Sequence, residues 1–205
     1  QRPDLSKSAG MDLAADFILD ICKKNNISPN LYDLYSCFPI AVEMFAKSLD
    51  LKELKNITVT GGMSFAGGPL NSYVLNSTVQ MIEMIRKYMN VGIVTGVSGM
   101  MTKQSYALWS KDPLIEFLHK DVTSQAKEID VPVELSGLSN GYGLVLGCTV
   151  LYSKNSAFKG VLYIEDENKK RKLITTSDKL IMKSMESEEW VGKKIQFLNT
   201  TLVTE

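Results

Sequence analysis

The chain of 205 residues carries 23 basic and 23 acidic side chains and is 44% hydrophobic, which suits one globular domain or a medium domain plus a small one. Its zero formal charge argues against nucleic-acid recognition by bulk charge. The longest apolar runs, such as VGIVTGV, fall far short of the roughly 20 residues that a membrane helix needs, so we expect a cytoplasmic protein with no membrane partner.

The chain opens QRPDLSKSAG, without an initiator Met, and passes directly into a helical pattern that needs a partner, so it reads as a fragment. In MDLAADFILDICKKNN the four-residue spacing of Leu13, Phe17 and Ile21 predicts the buried stripe of an amphipathic helix. LYDLYSCF is strand-like, and Pro39 suits the first turn of a helix over IAVEMFAKSL. ITVTGGMSF reads as a strand, the glycines after it as a turn, and NSYVLNSTVQMIEMIRKYM as a long helix with Val74, Met81, Ile82 and Ile85 on one side. VGIVTGVSG and SYALWS supply two more strands. The order α-β-α-β-α-β-β predicts a mostly parallel sheet covered by helices over residues 1–111.

Residues 112–130 are polar and weakly periodic, a connector. From 131 to 205 short strand candidates follow: VELSG, YGLVLGCTVLYS, FKGVLYIEDE, KRKLITTS and KKIQFLNTTLV, with one short helix, DKLIMKSMESEEW, among them. A small, OB-like β-barrel is the economical reading, since closure removes exposed edges. Ten basic residues against nine acidic from Val131 onward make no basic stripe, so a nucleic-acid partner is not expected.

Three features could carry chemistry. GGMSFAGGP joins a strand to a helix, but it lacks the Lys-Ser/Thr of a P-loop and does not fit G-x-G-x-x-G, so a tight turn is favoured over a phosphate cradle. Cys22, Cys37 and Cys148 are too few for a disulfide framework and lie outside metal-ligand spacing, so no metal is expected. Cys22 and Cys148 read as core residues, and His119, the only histidine, as an exposed side chain of the connector. The KKRK run at 169–172 reads as a solvated hairpin tip, with contact to a phosphate group or nucleic acid as the other reading.

Taken together, three segments resemble the thiolase superfamily. GGMSFAGGPLNSYV resembles the thiolase strand that leads into a G-H-P turn and a helix: Gly61, Gly62, Gly67 and Pro69 match, while Gly68 stands where thiolases carry histidine. YSCF at 35–38 resembles the N-E-A-F motif and, more closely, the H-D-C-F motif of sterol-carrier-protein thiolases. VTGVSG resembles the C-x-G strand, with the cysteine position at Val97 or Ser98 and the glycine at Gly99. The likeness is greatest to thiolase-like proteins of type 1, a group regarded as acetyl-CoA acetyltransferases, whose extra C-terminal β domain residues 131–205 resemble.

This resemblance implies an α/β thiolase-like C-terminal half-domain, a layered mixed sheet, followed by a small β-barrel. It implies acyl transfer on coenzyme A thioesters as substrate, with no covalently bound cofactor and a nucleophilic cysteine in an N-terminal half that this chain lacks, so that alone it is inactive and self-associates. Cys37 is the candidate acid/base, with a buried cysteine packed as a small hydrophobe as the other reading. Tyr35, Gly68, Ser98 and Gly99 are altered motif positions. At Gly68 a backbone N–H, a water or the Tyr35 hydroxyl would replace the histidine, or that oxyanion hole is lost. The alternative is a non-catalytic thiolase-fold protein that binds coenzyme A esters, a partner protein or nucleic acid.

Overall fold

The computed structural model describes residues 2–88, 91–99, 101–113 and 116–203. It divides into two compact units, one of Asp4–Asp130 and one of Gln1–Pro3 with Val131–Glu205.

In the first unit, α1 (Ala9–Lys24) starts where Ser8 Oγ accepts the Met11 N–H, with Asp12 in its first turn and Lys23 and Lys24 in its last, charges that suit the helix dipole. Its buried stripe runs through Met11, Ala15, Ile18 and Cys22. Ile21 is buried as expected, whereas Leu13 and Phe17 are only half-buried. The small Ala15 lets the helix approach closely, a signal that a count of large apolar residues misses. After β1 (Leu31–Asp33), α2 (Pro39–Ser48) begins on Pro39 and buries Ala41, Met44, Phe45 and Ala46. Then come a one-turn helix α3 (Met63–Ala66), a 3-10 turn (Leu70–Ser72), α4 (Tyr73–Tyr88), β2 (Val91–Ser98), β3 (Lys103–Ser110) and α5 (Thr123–Ile129).

The sheet has the order β1-β2-β3. β1 runs parallel to β2, with Leu31 opposite Gly92 and Asp33 opposite Val94, while β3 is antiparallel to β2 from Val91↔Ser110 to Ser98↔Lys103. The sheet is therefore mixed rather than mostly parallel. β2 is buried on both faces, and neighbouring residues show it: Ile93 joins the core made with Met11, Ile18, Met44 and Phe45, and Val94 joins Met81 and Ile85 of α4. Since consecutive strand residues face opposite ways, α1 and α2 cover one face and α4 the other. α4 lies so close that a Cβ on Gly92 would stand 2.0 Å from Met81 Sδ, which explains glycine in that strand.

The strand expected over ITVTGGMSF is absent. Leu34 donates to the Ile57 carbonyl at 3.0 Å, a sheet-like contact, but beyond it the Val59 and Thr60 N–H groups and the Thr58 hydroxyl turn to the carboxylate of Asp33 instead of to a strand.

The second unit is a closed barrel in the order β4-β5-β6-β8-β7, built from β4 (Asn140–Ser153), β5 (Ser156–Asp166), β6 (Arg171–Thr176), β7 (Lys194–Leu198) and β8 (Thr201–Leu202). Inward residues alternate along each strand and form its core: Val145, Leu162, Ile164, Ile174, Ile195 and Phe197. α6 (Lys179–Ser187), capped by Asp178, sits between β6 and β7, and Met185 together with Trp190 joins that core. VELSG forms no strand; Leu135 makes only an isolated parallel bridge to Arg171.

Candidate functional site

Asp33 is fully buried at the end of β1, in the middle of the otherwise apolar and aromatic stretch LYDLY. Its Oδ2 accepts from Val59 N at 3.0 Å, Thr60 N at 3.1 Å, Thr58 Oγ1 at 3.0 Å and Thr60 Oγ1 at 2.9 Å. Its Oδ1 accepts from Tyr73 Oη at 3.0 Å and Ser77 Oγ at 2.8 Å. A carboxylate buried without a cation is tolerated where it is met by donors in this way. The buried stripe of α4 is accordingly Tyr73, Ser77, Met81 and Ile85, not the wholly apolar one expected, because two of its four positions serve Asp33. Val74 and Ile82 are half-buried.

Past Asp33 the chain leaves the sheet, and Tyr35 N donates to Thr95 Oγ1 of β2 at 2.9 Å. The rings of Tyr35 and Tyr73 meet edge to face, 5.5 Å apart and at 88°. Burial, and next to it the neighbouring Cys37, pushes the Tyr35 phenol up from its ordinary value, so its O–H remains a donor at neutral pH. Cys37 is a free, half-buried thiol. Ser36 Oγ accepts the Met63 N–H at 2.9 Å, which ties this segment to the glycine loop.

In that loop Gly61, Gly62 and Gly67 have φ of 86°, 75° and 77°, conformations that favour glycine. Gly68 does not; it is exposed, and a Cβ there would meet Met63 Sδ at an ordinary 3.8 Å. Its glycine is thus not demanded by the backbone. The YSCF segment, the glycine loop and Thr95 of the VTGVSG strand converge just past the C-terminal end of β1, beside the middle of β2, on the side of the sheet where sites in α/β folds are usually built. Ser98 and Gly99 lie farther along, at the exposed end of β2, where the Gly99 carbonyl accepts from Thr102 N and Oγ1 in a turn to β3. Val97 packs against the α1–α2 core.

The remaining residues singled out in the sequence lie elsewhere. Cys22 is buried in the α1–α2 core, and Cys148 packs against the barrel core; burial pushes both thiols up. His119 is exposed. The KKRK run is the solvated hairpin tip expected only at Lys169; Arg171 and Lys172 already belong to β6. Arg171 is buried, with Nη1 3.0 Å from Glu165 Oε2 and Nη2 donating to the Pro3 carbonyl. Lys169 and Lys170 pair with Glu165 and Glu134, and Lys172 donates to the Leu138 carbonyl. The anchors of the loop, Asp33, Tyr73 and Ser77, escaped sequence reasoning. Their signals were a carboxylate inside an apolar strand and a serine at i+4 spacing on an apolar stripe.

No protein-family model matches the chain, and no curated protein matches it. Among solved structures it is similar to a monomeric SCP2-thiolase-like protein type 1 from Mycobacterium smegmatis, with a TM-score of 0.79 and 21% sequence identity. The match covers 94% of this chain and 45% of that one, so the chain spans less than half the length of that protein. The shared feature is a thiolase-like α/β fold. Among the described residues no helix is long and apolar enough to cross a membrane.

Proposed function

We propose that this chain is the C-terminal part of a thiolase-like acyltransferase that acts on acyl-coenzyme A thioesters, with the nucleophilic cysteine on an N-terminal half. The observation that carries the reading is that the segment bearing Tyr35 and Cys37 meets the glycine loop past the end of β1, joined by Ser36 Oγ to Met63 N and by Tyr35 N to Thr95 Oγ1 of β2. In this reading Cys37 Sγ accepts the α-proton of the acyl group and later returns it. The Tyr35 O–H or the Gly68 N–H donates to the thioester oxygen as charge develops there, the task of the histidine in the resembling family. Val97 has no group able to exchange a proton, which leaves that work to Cys37. The barrel, with α6 between its third and fourth strands in chain order, is then an OB-like additional domain, and the whole protein is cytoplasmic.

The half-domain reading also accounts for apolar side chains left in water: Phe38, Phe65 and Leu70 near the loop and Leu75 and Val79 on the outer face of α4, with Phe65 86% and Leu70 91% exposed. The N-terminal half would cover them, and the chain by itself would self-associate through them; a strict monomer in concentrated sedimentation runs argues against this. A second reading, a non-catalytic thiolase-fold protein that binds coenzyme A esters or a partner, is favoured by glycine at 68, which offers no side-chain donor. Thiolysis of acetoacetyl-coenzyme A by the full-length protein separates the two. We expect turnover that falls at least about a hundredfold in Cys37→Ala, the usual worth of a general acid/base. No turnover in either form sinks the enzyme reading.

A further inference from the structure

We propose that Asp33 is a positioning residue, a clamp that fixes the 61–72 loop against the Tyr35–Cys37 segment by holding both of its ends. The loop leaves the body of the unit at Thr60 and re-enters it at Tyr73. Both residues bind the same carboxylate: Thr60 through N and Oγ1 to Oδ2, and Tyr73 through Oη to Oδ1. Thr60 Oγ1 and Tyr73 Oη also lie 3.0 Å from each other, so the two ends close a triangle on Asp33.

Ser77 anchors the carboxylate to the next turn of α4, and Thr58 and Val59 anchor the incoming strand of chain. Asp33 itself is only two residues before Tyr35, whose ring packs on that of Tyr73. One side chain therefore sets the spacing between the segment that bears Cys37 and the loop that bears Gly67 and Gly68. Between the clamped ends the loop has three glycines with positive φ, and Leu70 at φ 42° is almost wholly exposed. The loop contributes little buried apolar surface of its own. The contact of Met63 N with Ser36 Oγ is then maintained from outside the loop, by the clamp.

Asparagine at 33 turns one acceptor oxygen into a donor that faces other donors. Phenylalanine at 73 keeps the ring and removes the hydroxyl that reaches Asp33, Thr60 Oγ1 and Ser36, so Asp33→Asn, which leaves the Tyr73–Ser36 interaction in place, is the variant that isolates the clamp. Amide hydrogen exchange on the intact chain tests the idea in both variants, Asp33→Asn and the milder Tyr73→Phe. We expect the Met63 amide, which does not touch Asp33, to exchange roughly ten- to hundredfold faster in each variant, as loss of a charge-assisted bond produces. Val59 and Thr60 should follow in Asp33→Asn, while the amides of the β2–β3 ladder stay within about twofold of wild type. Alkylation of Cys37 by iodoacetamide should quicken in parallel, measured against Cys148 as internal reference. An unchanged Met63 amide, or one that accelerates only as much as the ladder, overturns the clamp; if Asp33→Asn does not fold, Tyr73→Phe alone decides by the same two criteria. The inference goes beyond the acyl-transfer reading and is measured without substrate, so either can fail while the other stands.

Discussion

Glycines 62 and 68 sit six residues apart in one loop, and substitutions there should have opposite effects. Gly62 has φ 75° and ψ 179°, and Gly67 has φ 77° and ψ 171°, a region that residues with a Cβ enter at a cost of about 1–3 kcal/mol. A Cβ on Gly62 would also stand 3.0 Å from Ser36 Oγ, pressing on the hydroxyl that accepts the Met63 N–H. Gly68 carries neither penalty, and an alanine there gains about 0.4–1 kcal/mol by restricting the unfolded chain. The gap between Gly62→Ala and Gly68→Ala is then about 1.4–4 kcal/mol, on the order of 10 °C in melting temperature for a unit of this size. Thermal melts followed through amide signals of the β2–β3 ladder report on this unit alone. Gly68→His, which restores the residue type of the thiolase motif, should fold as wild type does. Equal losses in Gly62→Ala and Gly68→Ala would refute the reasoning, because they would mean that glycine at 68 is also demanded by the backbone.

Other outcomes follow from the two cores. Burial works against ionisation of Asp166, but hydrogen bonds from Ser136 and from the Lys170 and Asn168 N–H groups outweigh it and hold its carboxyl below the ordinary value. A lowered folded value gives stability that is present above about pH 4 and lost as pH falls through the folded value. Urea titrations of the barrel should therefore lose stability below pH ~4, with a shallower decline in Asp166→Asn; identical slopes would contradict this. Arg171→Ala removes a buried guanidinium that pairs with Glu165 and donates to the Pro3 carbonyl, leaving Lys169 as the other cation on Glu165, and should cost about 1–3 kcal/mol, read from urea midpoints, whereas Lys170→Ala, which loses a surface pair with Glu134, should move the midpoint less. Gly92→Ala forces the Met81 side chain aside and should cost about 1–3 kcal/mol in the same assay; a neutral result would mean that the Met81 side chain finds another rotamer in the space between α4 and β2.

What the sequence made legible was periodic or was punctuated by glycine and proline. The start of α2 on Pro39, the long helix after the glycine loop, and β4, β5 and β6 all follow from such signals. What it hid was set by single polar contacts. A run of β-branched residues at 57–60 looks like a strand, yet the N–H groups of Val59 and Thr60 are taken by Asp33, and no local pattern reveals that a carboxylate 26 and 27 residues away competes with a ladder. Ser77 looks like a break in an apolar stripe until its partner is known. Arg171 looks like one cation among four, but it stands opposite Glu165 in the β5–β6 ladder, on the face away from the core residue Ile174, and is buried there against Glu165 and the Pro3 carbonyl, an environment that its neighbours in sequence do not share. In the candidate site the motif positions were visible one by one; that Tyr35, Ser36 and Met63 meet depends on where two segments nearly 30 residues apart are brought together by the fold.

The central claim is that Cys37 moves a proton at the α-carbon of an acyl thioester. Incorporation of deuterium from solvent into the methyl group of acetyl-coenzyme A, followed by proton NMR with the full-length protein, reads that step without requiring net turnover. Exchange by the wild type that falls by at least about a hundredfold in Cys37→Ala, with the fold unchanged, is the predicted result. Exchange that is unaffected by Cys37→Ala would contradict the assignment.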